Sequence, residues 1–113
     1  MKSESDTTGK RVRVADIEDV EIETGCSVEV YGRRLALFII DGDVVCVDER
    51  CPHAGGRLSR GQLCGSVVKC PRHGWRFDLV DGRCLSDPRY ELGRYPVEIE
   101  EGAVFVFMTL DKE

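Results

Sequence analysis

The chain contains only two histidines, and each follows closely on a cysteine-proline pair: Cys51-Pro52-His53 and Cys70-Pro71-Arg72-His73. Thiolate sulfur and imidazole nitrogen are ligands for borderline and soft transition metals. A tight loop turns both side chains of a pair to one side, so two such pairs, separated by the segment from Ala54 to Lys69, can converge on one Cys₂His₂ site. That donor set admits tetrahedral zinc or a two-iron cluster. Zinc sites more commonly pair cysteine with cysteine and histidine with histidine. The single residue between Cys51 and His53 is also tighter than usual zinc spacing, which favours iron–sulfur over a zinc-stabilised interaction module.

The elements that must position these pairs read as β-structure. Past Arg11 the sequence is a succession of short alternating or β-branched runs broken by glycine turns. Leu35 to Ile40 and Val44 to Val47 flank Asp41-Gly42-Asp43, and Val97 to Ile99 and Ala103 to Met108 flank Glu101-Gly102, so both pairs are expected to be hairpins. Tyr31-Gly32 and Asp81-Gly82 read as two more turns of this kind. Asp16 to Val20 has one turn of helical character. From Arg50 to Arg76 the alternation fails, and Gly, Pro and Cys predict that loops dominate there. Residues 1–10 are polar and read as a flexible tail, leaving 11–110 as a single domain. Cys46, within an apolar strand, reads as a small buried hydrophobe. Cys64 lies between the ligand pairs but belongs to neither, and Cys26 and Cys84 read as incidental free thiols.

CPHAGG (Cys51 to Gly56) and CPRHGWRFD (Cys70 to Asp78) resemble the two cluster-binding loops of Rieske proteins, particularly bacterial Rieske ferredoxins, and the resemblance extends over about residues 11 to 108. It implies an all-β Rieske fold: an antiparallel β-sandwich with a small cluster-binding subdomain of two ligand loops. It further implies one [2Fe–2S] cluster per chain, with Cys51 and Cys70 on one iron and His53 and His73 on the other. Two thiolates and two neutral imidazoles leave the oxidised site less negative than four thiolates would, which raises the potential. Prolines 52 and 71 stiffen the loops by restricting the preceding cysteines to extended backbone. Gly55, Gly56 and Gly74 are expected to let backbone N–H groups approach the sulfurs. Trp75 and Phe77 are expected to pack beneath the loops, and Ser86-Asp87-Pro88 resembles the family's third, covering loop.

The resemblance also indicates a branch. Respiratory members carry an extra cysteine in each loop, joined as a disulfide, and hydroxyl donors to the cluster sulfurs. Gly56 and Arg72 stand at the cysteine positions here, and Trp75 and Phe77 replace the serine and tyrosine. Without those donors the potential should fall towards the low end of the Rieske range, about −150 mV. That suits an acceptor of electrons from an NAD(P)H-linked flavoprotein reductase that feeds a terminal oxygenase, such as a ring-hydroxylating dioxygenase. The same resemblance admits the small subunit of an assimilatory NAD(P)H nitrite reductase, bound to its large subunit.

Bulk properties agree with a carrier rather than an enzyme. The 113 residues leave room for one domain, and no two further histidines remain to build a mononuclear iron site. No apolar run approaches a membrane span. The polar start, MKSESDTTGKR, lacks the apolar core of a secretory signal, so a cytoplasmic location and a free monomer are expected. In that compartment six cysteines denote metal or free thiols rather than disulfides. Net charge is −5, yet Arg50, Arg57, Arg60, Lys69, Arg72 and Arg76 stand in a stretch with no acidic residue. The ligand-bearing end is therefore expected to be basic and the body acidic, which favours docking on an acidic partner. Trp75 is the one aromatic residue among these cations, whereas a nucleic-acid surface would interleave several.

Overall fold

The computed structural model describes residues 10–21, 24–52, 55–72 and 74–108. Among the described residues ten strands form three antiparallel sheets: β1 (Lys10–Asp16), β2 (Cys26–Val30), β3 (Arg33–Ile40), β4 (Asp43–Asp48), β5 (Gln62–Cys64), β6 (Val67–Lys69), β7 (Arg76–Asp78), β8 (Arg94–Tyr95), β9 (Val97–Glu100) and β10 (Ala103–Met108). Their orders are β1-β10-β9, β2-β3-β4-β8 and β5-β6-β7.

β3 explains how the layers hold together. Strand side chains alternate between faces, and here both faces are covered, so Arg33–Ile40 reads as a nearly unbroken apolar run after its first two residues. Leu35 and Leu37 enter a core shared with Val104, Val106 and Met108 of β10. Ala36, Phe38 and Ile40 enter a second core with Cys51, Leu58, Val68, Cys70 and Phe77. The sandwich core and the core beneath the ligand loops therefore share one strand.

Three turns follow the reading of the sequence. Tyr31-Gly32, Asp41-Gly42 and Glu101-Gly102 each have positive φ at both positions, the two-residue hairpin geometry that suits strand twist. Asp81-Gly82 is a different turn. Only Gly82 has positive φ, and its N–H donates to Asp78 O over a longer connection, 2.7 Å. The helical character near Asp16 is one 3₁₀ turn, Ile17–Asp19. Loops dominate from Arg50 to Arg76 as expected, although this stretch also contains β5, β6 and the start of β7. Each is only three residues long, too short for its alternation to register beside the glycines and prolines. The expected tail, apart from Lys10 at the start of β1, lies outside the described residues.

Candidate metal centre

The two cysteine-proline loops have the same backbone design. Cys51 N donates to Gly56 O at 2.9 Å, and Gly55 N donates back to Cys51 O at 2.8 Å. In the second loop Cys70 N donates to Trp75 O at 2.7 Å, and Gly74 N to Cys70 O at 3.0 Å. Gly55 and Gly74, each four residues beyond its cysteine, have φ of 73° and 75°, a conformation that strongly favours glycine. Their N–H groups thus close the loops on cysteine carbonyl oxygens, where the sequence suggested an approach to sulfur.

The loops meet at Gly56. A Cβ placed there would lie 2.8 Å from Cys70 Sγ and 2.9 Å from Arg72 Cγ, so only a glycine lets the first loop rest on the second cysteine. Both candidate ligand cysteines are buried, Cys51 at 2% and Cys70 at 1% exposure. His53 and His73 lie outside the described residues. Buried sulfurs at the head of two matched, converging loops fit a metal cluster shared between them.

The supports are as expected in part. Phe77 is fully buried in the same core as both cysteines. Trp75 packs on that core and meets Tyr90 edge-to-face at 5.2 Å. Ser86 Oγ accepts from Arg76 N at 3.0 Å, bringing the Ser86-Asp87-Pro88 segment to the start of β7, just beyond the second loop. Cys46 is buried, and burial pushes its thiol up to about 12. Cys64 is exposed. Cys84 is more than incidental: it is buried in the loop core, and its Sγ accepts from Asp87 N at 3.3 Å.

Sequence reasoning missed three features near the site. Glu49, two residues before Cys51, is wholly buried and bonded to Arg57 and Ser59. Arg57 is therefore compensated by an acid lying just outside the stretch in which the cations were counted. In exchange, Arg33 and Arg34 from β3 join Arg50, with the carboxylate of Asp48 among them, along a surface hollow beside Cys51 and Pro52. Nothing local in the sequence marks Glu49 as buried, and the β3 arginines reach the site only through the tertiary fold. Arg33, Arg34, Arg50, Arg60, Lys69, Arg72 and Arg76 are all exposed, and none makes an ion pair among the described residues.

A fold of this topology with this pair of loops defines a small iron–sulfur electron-transfer domain. The Rieske [2Fe-2S] domain model matches residues 10–96, and the chain belongs to that family. It is 33% identical to the ferredoxin component of the naphthalene 1,2-dioxygenase/salicylate 5-hydroxylase systems of a Ralstonia species, over 86% of this chain and 94% of that protein. Among solved structures, a chain in the complex of reduced oxygenase and oxidised ferredoxin of carbazole 1,9a-dioxygenase is 32% identical. The TM-score is 0.76, and the match covers 84% of this chain and 99% of that one. A Mycobacterium tuberculosis chain assigned as an NADH-dependent nitrite reductase small subunit is 28% identical with a TM-score of 0.81, over 90% of this chain and 97% of that one. Among the described residues no helix is long and apolar enough to cross a membrane.

Proposed function

We propose that this chain is a Rieske ferredoxin: a one-electron carrier that receives electrons from an NAD(P)H-linked flavoprotein reductase and delivers them to a terminal oxygenase of the ring-hydroxylating type. The observation that carries the reading is the pair of matched loops meeting at Gly56 and Cys70 Sγ, with buried cysteines at their heads. Cys51, His53, Cys70 and His73 would hold one [2Fe–2S] cluster there, and that group supplies reversible one-electron chemistry when bound. The protein's own contribution is positional. The prolines and glycines fix the loops, Phe77 and Trp75 fill the space beneath them, and the buried cysteines are kept from bulk water. The exposed cations around the loops present a surface for an acidic partner.

As a free carrier it would work as a monomer in the cytoplasm, beside its reductase. The likeness to a nitrite reductase small subunit supports a second reading, in which the same domain is a fixed subunit of a larger enzyme. Purification from its native host distinguishes them. A free carrier elutes alone, carries iron and sulfide, and passes electrons from a flavoprotein reductase to an oxygenase. A fixed subunit elutes in stoichiometric complex with a much larger chain. A preparation that binds zinc and no iron contradicts both.

A further inference from the structure

The two ligand loops share a backbone design but differ in what closes their bases. The second is closed by a regular ladder, Lys69 to Arg76, Val68 to Phe77 and Val67 to Asp78. Among the described residues the first has a single bridge, Arg50 to Arg57, and the bond from Leu58 N to Glu49 O at 2.8 Å. What replaces the missing ladder is a side chain. Glu49 reaches across the base of the loop, where Oε1 accepts from Ser59 N at 3.0 Å, and Oε2 accepts from Ser59 Oγ at 2.7 Å and Arg57 Nε at 3.1 Å. The carboxylate is wholly buried, while the Arg57 side chain is 40% exposed.

We infer that Glu49 is a positioning residue for the first pair of cluster ligands, Cys51 and His53, gripping the returning strand of their loop through Arg57 and Ser59. This rests on the ligand assignment above. The chemistry calls for a carboxylate: it accepts all three bonds, whereas an amide has one acceptor oxygen and turns an NH₂ group towards at least one of the donors. Residues that orient metal ligands without touching the metal change its affinity by about 10–100-fold when replaced.

The test compares holoprotein variants Glu49→Gln and Arg57→Gln with Val104→Ala, a buried change in the other core. The readouts are thermal unfolding, the rate at which an iron chelator bleaches the visible absorbance, and the electron paramagnetic resonance of the reduced protein. Glu49→Gln is expected to lose iron about tenfold or more faster than wild type, with altered g values. Arg57→Gln, which keeps both Ser59 bonds, should fall between. Val104→Ala should lower thermal stability and leave the resonance unchanged. If Glu49→Gln destabilises the fold but matches Val104→Ala in iron loss and resonance, the carboxylate is merely structural and the inference is wrong. If Glu49→Gln does not fold, Arg57→Gln decides: wild-type iron loss and resonance overturn the inference. A wild-type resonance without histidine ligation defeats the ligand assignment instead.

Discussion

A methyl group added at Gly56 would press on both Cys70 Sγ and the Arg72 side chain. Overpacking of this kind costs about 1–3 kcal/mol, and here the strain falls on a cluster-ligand candidate. Gly56→Ala should therefore lower both the urea midpoint and the iron and sulfide bound per chain. Unchanged iron content in that variant would mean that the loops do not meet as described. The contact also gives physical content to the comparison with respiratory Rieske proteins. Positions 56 and 72, where those proteins are expected to carry their bridging cysteines, are neighbours here, but the space holds a glycine backbone and the stem of an arginine.

At the scale of elements, β3, β4 and β8 are tied by a polar chain as well as by their ladders. Arg33 donates to Tyr95 Oη at 2.9 Å, and Tyr95 donates to Asp48 Oδ1 at 2.6 Å. Gly93 N donates to Asp48 Oδ2 at 3.2 Å. Burial first, and then the bond to Asp48, pushes the Tyr95 phenol up to about 12 from an ordinary value near 10. The folded protein thus holds this proton across a pH range in which the unfolded chain releases it. The stabilisation is complete below pH 10 and is lost as pH rises through about 12. Alkaline unfolding followed by tyrosinate absorbance should contain a late step that Tyr95→Phe abolishes, and retention of that step in the variant would contradict the assignment. The elements themselves were legible where burial leaves a pattern. The paired turns at Asp41-Gly42 and Glu101-Gly102 declared their hairpins, while the burial of β3 on both faces went unread although its apolar run carries it. β5 to β7 did not, because a three-residue strand holds too few alternations, and their stability comes from Val68 and Phe77 packing under the loops.

Over the whole molecule, carboxylates neutralise four arginines of the body locally. Arg11 lies between Glu98 and Glu100, and Arg13, Arg83 and Arg89 each pair with an aspartate. Apart from Arg57, which pairs with Glu49, the cations around the candidate ligand loops lack such partners among the described residues. Segregation of this kind orients encounter with an acidic partner and weakens with salt. Electron transfer from a flavoprotein reductase should slow about tenfold or more as salt rises from about 20 to 300 mM, and Arg34→Glu should flatten that dependence. A rate insensitive to salt would rule out steering. The four ligand candidates were legible in the sequence because metal chemistry fixes residue type and spacing together. Glu49, Arg33 and Arg34 were not, because their roles arise only when the fold brings distant segments together. The central claim is that Cys51, His53, Cys70 and His73 hold a [2Fe–2S] cluster, and the most direct measurement is the electron paramagnetic resonance of the dithionite-reduced protein. The account predicts a spectrum whose average g lies below that of an all-cysteine [2Fe–2S] cluster, and its loss on replacing His53 or His73. A colourless, silent protein holding one zinc, or a spectrum of all-cysteine type, would contradict it.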